Sequence, residues 1–153
     1  MPRPAIRNAC ALLSLAADDA GFQFENDLLA GAFFEQRGGK PHVFREREFR
    51  RITDACWNAD QRIIDMNHDG VDLQVVSPTP VFFAYGRTAQ QATSVAAIFN
   101  DLALDITAQA PERLIPFCQV PLQDADAACR ELDRCIENGH AGVEIGNHVG
   151  DAD

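Results

Sequence analysis

From Trp57 onward, hydrophobic and polar positions fall into two alternating rhythms. "WNADQRIIDMNHDG" predicts a helix. Asn58 is placed to cap it, Gln61 stands in the capping-box position, and Gly70 is placed to end it in a left-handed conformation. "VDLQVVS" then alternates Val71, Leu73 and Val75 against Asp72 and Gln74, the period of a strand, and "PTP" breaks it. Thr88 and Gln91 form a second capping box. Behind them Ala92, Val95, Ala96, Phe99, Leu102, Ala103 and Ile106 recur at spacings of three and four, so one apolar stripe faces a core until Pro111. "RLIPFCQVP" predicts a buried strand with Pro116 inside it. "QDADAACRELDRCIENG" predicts a third helix, with Ala125, Ala128, Cys129, Leu132, Cys135 and Ile136 as its stripe and Gly139 as its stop. "AGVEIGN" reads as a third strand.

The order is therefore helix, strand, helix, strand, helix, strand. Strands joined by crossover helices pair in parallel, so the fold class is α/β. Three such strands fit a small doubly wound sheet or the first part of an eight-stranded barrel. Asp72, Gln74, Gln119 and Glu144 bear on the choice, because strands buried on both faces normally read as continuous apolar runs. Polar side chains there suit either a barrel interior that hosts chemistry or strand ends that touch solvent. The first fifty residues lack a sustained period; Gly38-Gly39 and Pro41 suggest a turn between two short strands.

The 153 residues amount to about one domain. A net charge of −10 argues against a nucleic-acid surface, which needs clustered Lys and Arg. Arg45, Arg47, Arg50 and Arg51 do cluster, but Glu46 and Glu48 interleave with them, which suits a solvated, internally paired strand or loop. No apolar run approaches the ~20 residues of a membrane span. After Arg3 and Arg7, "ACALLSLAA" is short for a secretory leader and passes directly into "DDAG". The cysteines number five and form no CxxC. Cys118, Cys129 and Cys135 stand among apolar neighbours, as small buried hydrophobes of a reducing, cytoplasmic compartment do. The histidines are His42, His68, His140 and His148, and none belongs to HxH or HExxH. His68, beside Asp69, suits a surface or capping role. His148 lies past the last strand, where barrel enzymes place their sites, yet a lone histidine without partners fixes no metal.

The stretch that carries a resemblance begins at "FRRITDACWNADQRI". "GVDLQVVSPTPVFFAY", "NDLA", "PER", "QVPLQD" and "GVEIGNHVGD" follow in order, together over about two-thirds of the chain. It resembles the 2-amino-3-carboxymuconate 6-semialdehyde decarboxylases of the metal-dependent amidohydrolase superfamily. The resemblance implies a (β/α)8 TIM barrel about twice as long as this chain. Residues 1–153 would be its N-terminal part, with about three or four strands, and 1–56 would include an irregular, insertion-like segment. It also implies one zinc, non-oxidative loss of CO2 in tryptophan catabolism, and a homodimer in the full-length form. Arg50, seven residues before Trp57, falls at the family's substrate-carboxylate arginine. Arginine suits that role because it stays charged and grips a carboxylate through two parallel hydrogen bonds.

The departures concern the metal. The family's HxH position falls in "AIRNACALL", which has no histidine, and its other ligands and catalytic histidine would lie beyond Asp153. No metal ligand and no catalytic residue of the family is therefore expected in this chain, and no zinc is expected to be held by it alone. If Asn8–Leu12 is encoded AAC GCA TGC GCA CTN, reading one base later gives Thr-His-Ala-His, an HxH at the family's position. The expected function is a zinc decarboxylase by descent, inactive as this chain. The alternatives are a non-catalytic fragment or subunit, or a sibling decarboxylase or hydrolase. A barrel cut after its early strands would leave an unpaired edge and exposed apolar stripes, so a poor autonomous fold is expected.

Overall fold

The computed structural model describes residues 32–37, 40–45, 47–51 and 53–149, with side chains described over 53–80 and 82–149. Helix α1 spans Ala59–Asp69. Extended Asn58 starts it, its Oδ1 accepting the Gln61 N–H at 3.0 Å, and Gly70 at φ 70° stops it. Helix α2 spans Ala89–Thr107 behind the predicted capping box: Thr88 Oγ1 accepts from the Gln91 N–H, and the Gln91 side chain accepts from the Thr88 N–H, both at 3.3 Å. Helix α3 spans Ala125–Glu137 behind Asp124, whose carboxylate accepts from the Ala127 N–H at 2.8 Å, and Gly139 follows it at φ 104°.

Strands β4 (Gln74–Val76), β5 (Leu114–Cys118) and β6 (Gly142–Val143) form one parallel sheet in the order β4-β5-β6. Gln74 lies opposite Leu114, and Phe117 opposite Gly142. Strand β4 is shorter than its alternation predicts. The Arg113 guanidinium donates to the carbonyls of Val71 and Asp72, so these residues have hydrogen-bond partners without a ladder. Pro116 is tolerated in the central strand. Its carbonyl accepts from Ala141, and its missing N–H falls where β6 has not yet begun.

One face of this sheet is filled by helices. Val76 and Leu114 pack with Ala59 and Met66 of α1 and with Ile106 and Ala110. Cys118 and Val120 pack with Ala128 and Cys135 of α3, joined by Leu122, Leu132 and Val143. On the other face Val75 is 46% exposed and Leu73 before it 52%. Of the alternating apolar set, Val71, Leu73 and Val75 are all exposed. Helices cover only one face here, and a strand's period of two hands that face to Val76 instead.

The stripe of α2 is as predicted, with Phe99 half-buried and stacked on Phe82 at 4.9 Å between centroids. That of α3 is rotated. Ala127, Ala128, Glu131 and Cys135 are buried, whereas Ala125, Cys129 and Ile136 are exposed. Glu131 turns inward because buried donors await it, and Cys129 is displaced outward. The expectation of a buried Cys129 is therefore corrected, while Cys118 and Cys135 are buried as expected.

Within the stretch that shows no period lies an antiparallel sheet of β1 (Ala32–Arg37), β2 (Lys40–Arg45) and β3 (Arg47–Arg51), in that order. Strands β1 and β2 are the two short strands expected on either side of Gly38-Gly39, with Arg37 opposite Lys40 and Pro41 within β2; Gly38-Gly39 lie outside the described residues. The register shifts between Val43 and Phe44 in the β2–β3 pair.

Candidate functional site at the carboxyl ends of the parallel strands

Alternation fixes which side chains meet on the open face. Val76, Leu114, Cys118 and Val143 face helices, so Ser77, Phe117, Gln119, Gly142 and Glu144 face the other way. A Cβ on Gly142 would come within 2.6 Å of the Phe117 ring, so glycine lets that ring lie over β6. One step further along, the Ser77 hydroxyl donates to Glu144 Oε2, joining the ends of β4 and β6 across β5. Glu144 also continues the ladder, its N–H donating to the Cys118 carbonyl at 2.8 Å.

Gln119 closes this group. It is 1% exposed, its Nε2 reaches the Phe82 carbonyl at 3.4 Å, and its buried Oε1 has no hydrogen-bond partner. Its backbone is held firmly. Asn100, fully buried in the apolar stripe of α2, accepts the Gln119 N–H on Oδ1 at 2.7 Å and donates from Nδ2 to the Gln119 carbonyl at 2.9 Å. Asn100 Nδ2 also meets Glu131 Oε1 at 2.8 Å, and Arg134 grips both Glu131 oxygens at 2.7 and 2.8 Å while reaching Asp101. Burial pushes the Glu131 carboxyl upward. Hydrogen bonds from Arg134 and Asn100 outweigh it and hold the group below the usual carboxylate range. The Cys135 thiol is pushed up by its contact with Cys118, by burial and by Glu131, so it stays a neutral thiol.

A loop is fastened over these strand ends. Gln123 Nε2 donates to the carbonyls of Ala84 and Arg87, at 3.4 and 3.1 Å. The Tyr85 hydroxyl accepts the Gly146 N–H at 3.2 Å, and a Cβ on Gly146 would meet the Tyr85 ring at 2.9 Å.

The four polar residues left open by the sequence divide two and two. Gln119 and Glu144 line the open face. Gln74 faces α1, accepting from Arg62 Nη1 at 2.9 Å, and Asp72 is exposed ahead of β4. His140 is buried and structural, with its ring nitrogens 3.0 and 3.1 Å from the carbonyls of Cys135 and Asn100. His68 is exposed beside Asp69, whose hydrogen bond and charge raise its pKa, and His148 is exposed beside Asn147. Among the described residues no group of three His, Cys, Asp or Glu is placed to hold a metal ion. No described helix is long and apolar enough to cross a membrane. Arg50 lies in β3 opposite Val43, and its side chain is outside the described residues, as is all of the segment 8–12. Ser77, Asn100 and Glu131 were not foreseen. Asn100 carried a signal: it sits four residues after Ala96 and three before Ala103, on the buried stripe itself.

Parallel strands backed by helices on one face, with polar groups gathered at their carboxyl ends, define a segment of a (β/α)8 barrel. The chain belongs to the amidohydrolase family, whose model matches residues 32–153. It is 39% identical to the 2-amino-3-carboxymuconate-6-semialdehyde decarboxylase of Dictyostelium discoideum, over 66% of this chain and 28% of that one. It is 29% identical to the protein of the same name from Caenorhabditis elegans, over 72% and 33%. Among solved structures it resembles a 2,6-dihydroxybenzoate decarboxylase in complex with 2,6-dihydroxybenzoate, with a TM-score of 0.52 and 31% identity over 61% of this chain and 30% of that one. The chain spans about a third or less of the curated relatives' length. Its partial barrel, with three parallel strands among the described residues, accords with the fold class expected from the sequence.

Proposed function

We propose that this chain is the N-terminal part of a zinc-dependent, non-oxidative decarboxylase acting on 2-amino-3-carboxymuconate 6-semialdehyde, a cytoplasmic step of tryptophan catabolism. In this reading it is inactive alone, and its full-length form is a homodimer. Arg50 grips a substrate carboxylate through paired hydrogen bonds. The zinc is a property of the family; the described residues do not fit it. The observation that carries the reading is the grouping of Ser77, Gln119 and Glu144 on the open face at the strand ends, in a chain whose relatives are decarboxylases. Loss of CO2 leaves an electron pair on the substrate carbon, which takes up one proton. A site for this must orient the departing carboxylate and admit one proton donor.

The test is a hybrid. Residues 32–153 replace their counterpart in the Dictyostelium decarboxylase, so the host supplies its own first segment and the rest of the barrel. The expected result is decarboxylation of the amino-carboxymuconate semialdehyde by the hybrid and none by the 153-residue chain alone. Arg50→Ala in the hybrid should raise KM more than it lowers kcat. A folded hybrid that turns over 2,6-dihydroxybenzoate instead favours the second reading, a decarboxylase of aromatic acids, which the likeness to the 2,6-dihydroxybenzoate decarboxylase supports at 31% identity. A folded hybrid active on neither points to a non-catalytic subunit.

A further inference from the structure

Gln119 is the best-held residue of the open face, yet half of its carboxamide is unused. Its N–H and carbonyl are both clamped by Asn100, which is itself fixed by Glu131 and, through it, Arg134 and Asp101. A network of this kind sets the end of β5 to within the tolerance that a binding contact needs. The side chain then points away from α3 toward the interior face, under the turn at Pro80–Phe82, with Oε1 buried and unpaired. A buried acceptor without a partner costs roughly the free energy of a lost hydrogen bond, so it calls for an occupant. Beside it on the same face stands Glu144, one of whose oxygens is taken by Ser77.

The chemistry of the occupant follows from two relatives of different substrate. One is named for a 2-amino-3-carboxy compound, the other for a 2,6-dihydroxy acid. In both, a donor group, N–H or O–H, sits on the carbon next to the one that bears a carboxylate. An acceptor beside the departing carboxylate would read that donor in either case.

We infer that Gln119 Oε1 is a specificity-determining acceptor for the amino or hydroxyl group adjacent to the departing carboxylate, with Glu144, oriented by Ser77, as the second acceptor of the pair. This rests on the decarboxylase reading above. The unpaired oxygen gains its partner only when substrate arrives, which discriminates against any analogue that lacks the donor.

The experiment uses the same hybrid and two substrates, the amino-carboxymuconate semialdehyde and its analogue without the 2-amino group. Gln119→Met keeps the shape and removes the acceptor. It should raise KM for the amino substrate about 10- to 100-fold, with kcat changed much less and the donor-free analogue processed as before. Gln119→Glu, which keeps an acceptor in place, should restore most of the selectivity. Q119M should also shift the melting temperature little, because removal of a buried unpaired oxygen offsets the loss of the long Nε2 contact to the Phe82 carbonyl. Unchanged selectivity in Q119M, with or without a fall in melting temperature, overturns the inference while the decarboxylase reading stands. Loss of turnover on both substrates alike also overturns it. A parent hybrid inactive on every substrate overturns the reading and this role for Gln119 with it.

Discussion

The two faces of the β4-β5-β6 sheet contrast more sharply than any other two regions of the chain. Toward the helices, Leu114 and Cys118 are buried among apolar neighbours from all three helices. Toward the other side, Leu73 and Val75 stand open among the described residues, and the polar groups gather at one end. The helix-facing side is a finished core. The open side is built like the inside of a barrel, where side chains from several strands fill successive layers and chemistry sits at the carboxyl ends. The difference teaches where stability and function reside: substitutions on one face should act on folding, those on the other on what the face meets.

The largest effect that would break this contrast is a core truncation. Leu114→Ala removes a side chain packed between α1 and α2 and should cost about 2–5 kcal/mol. Urea denaturation of the chain and of the variant measures it. A loss under about 1 kcal/mol would mean that the helix-facing side is loosely packed and the contrast false.

Next comes the polar network between α2 and α3. Glu131→Gln keeps the shape but removes the charge that Arg134 and Asn100 both serve, and should cost about 1–3 kcal/mol. The pH dependence carries the sign. The folded carboxyl lies below its ordinary value, so its contribution is fully present above the unfolded value, near ~4.3, and is lost as pH falls through the folded one. Stability of the parent should therefore decline on acidification below that range, and E131Q should flatten the decline. Equal acid limbs in parent and variant would remove Glu131 from the account.

Much of this was legible in the sequence, for identifiable reasons. Caps at Asn58 and Thr88 and the stop at Gly70 are local chemistry, decided within four residues, and each stands where the letters put it. The α2 stripe was legible because most of its apolar positions meet one core. What misled was burial on one face only. "VDLQVVS" alternates cleanly, but alternation does not say which set faces the helices, and the buried member proved to be Val76. On α3 an apolar stripe through Cys129 and Ile136 looked complete, yet Asn100 and Arg134 drew Glu131 inward and turned the helix. The site was half legible. Gln119 and Glu144 stood out as polar residues in strands, whereas Ser77 becomes informative only when β4 and β6 are seen to flank β5.

Gly142 offers a smaller and more local test, on the open face itself. An alanine Cβ would press on the Phe117 ring, which can swing, so Gly142→Ala should cost toward the lower end of ~1–3 kcal/mol. Phe117→Leu should relieve that cost in the double variant, giving a coupling that a thermodynamic cycle detects. Strict additivity would show that the ring does not rest on β6.

The smallest expected effect sharpens the contrast most, because it is a near-zero on one face set against a large loss on the other. Leu73 and Val75 are large apolar side chains about half exposed in this chain. Exposed positions away from caps, cores and networks usually shift stability by no more than ~0.5 kcal/mol. Leu73→Ser and Val75→Thr should therefore leave the urea midpoint of the 153-residue chain almost unmoved, and by reducing open apolar surface they should lower its tendency to associate in size-exclusion chromatography. In the hybrid barrel the same two substitutions meet opposing strands. There the transfer of a buried Leu or Val side chain is worth ~1.5–3 kcal/mol, so the loss should reappear. A loss of that size already in the isolated chain would mean that Leu73 and Val75 are covered in solution, by another part of the chain or by a second copy, and the concentration dependence of the midpoint separates those two.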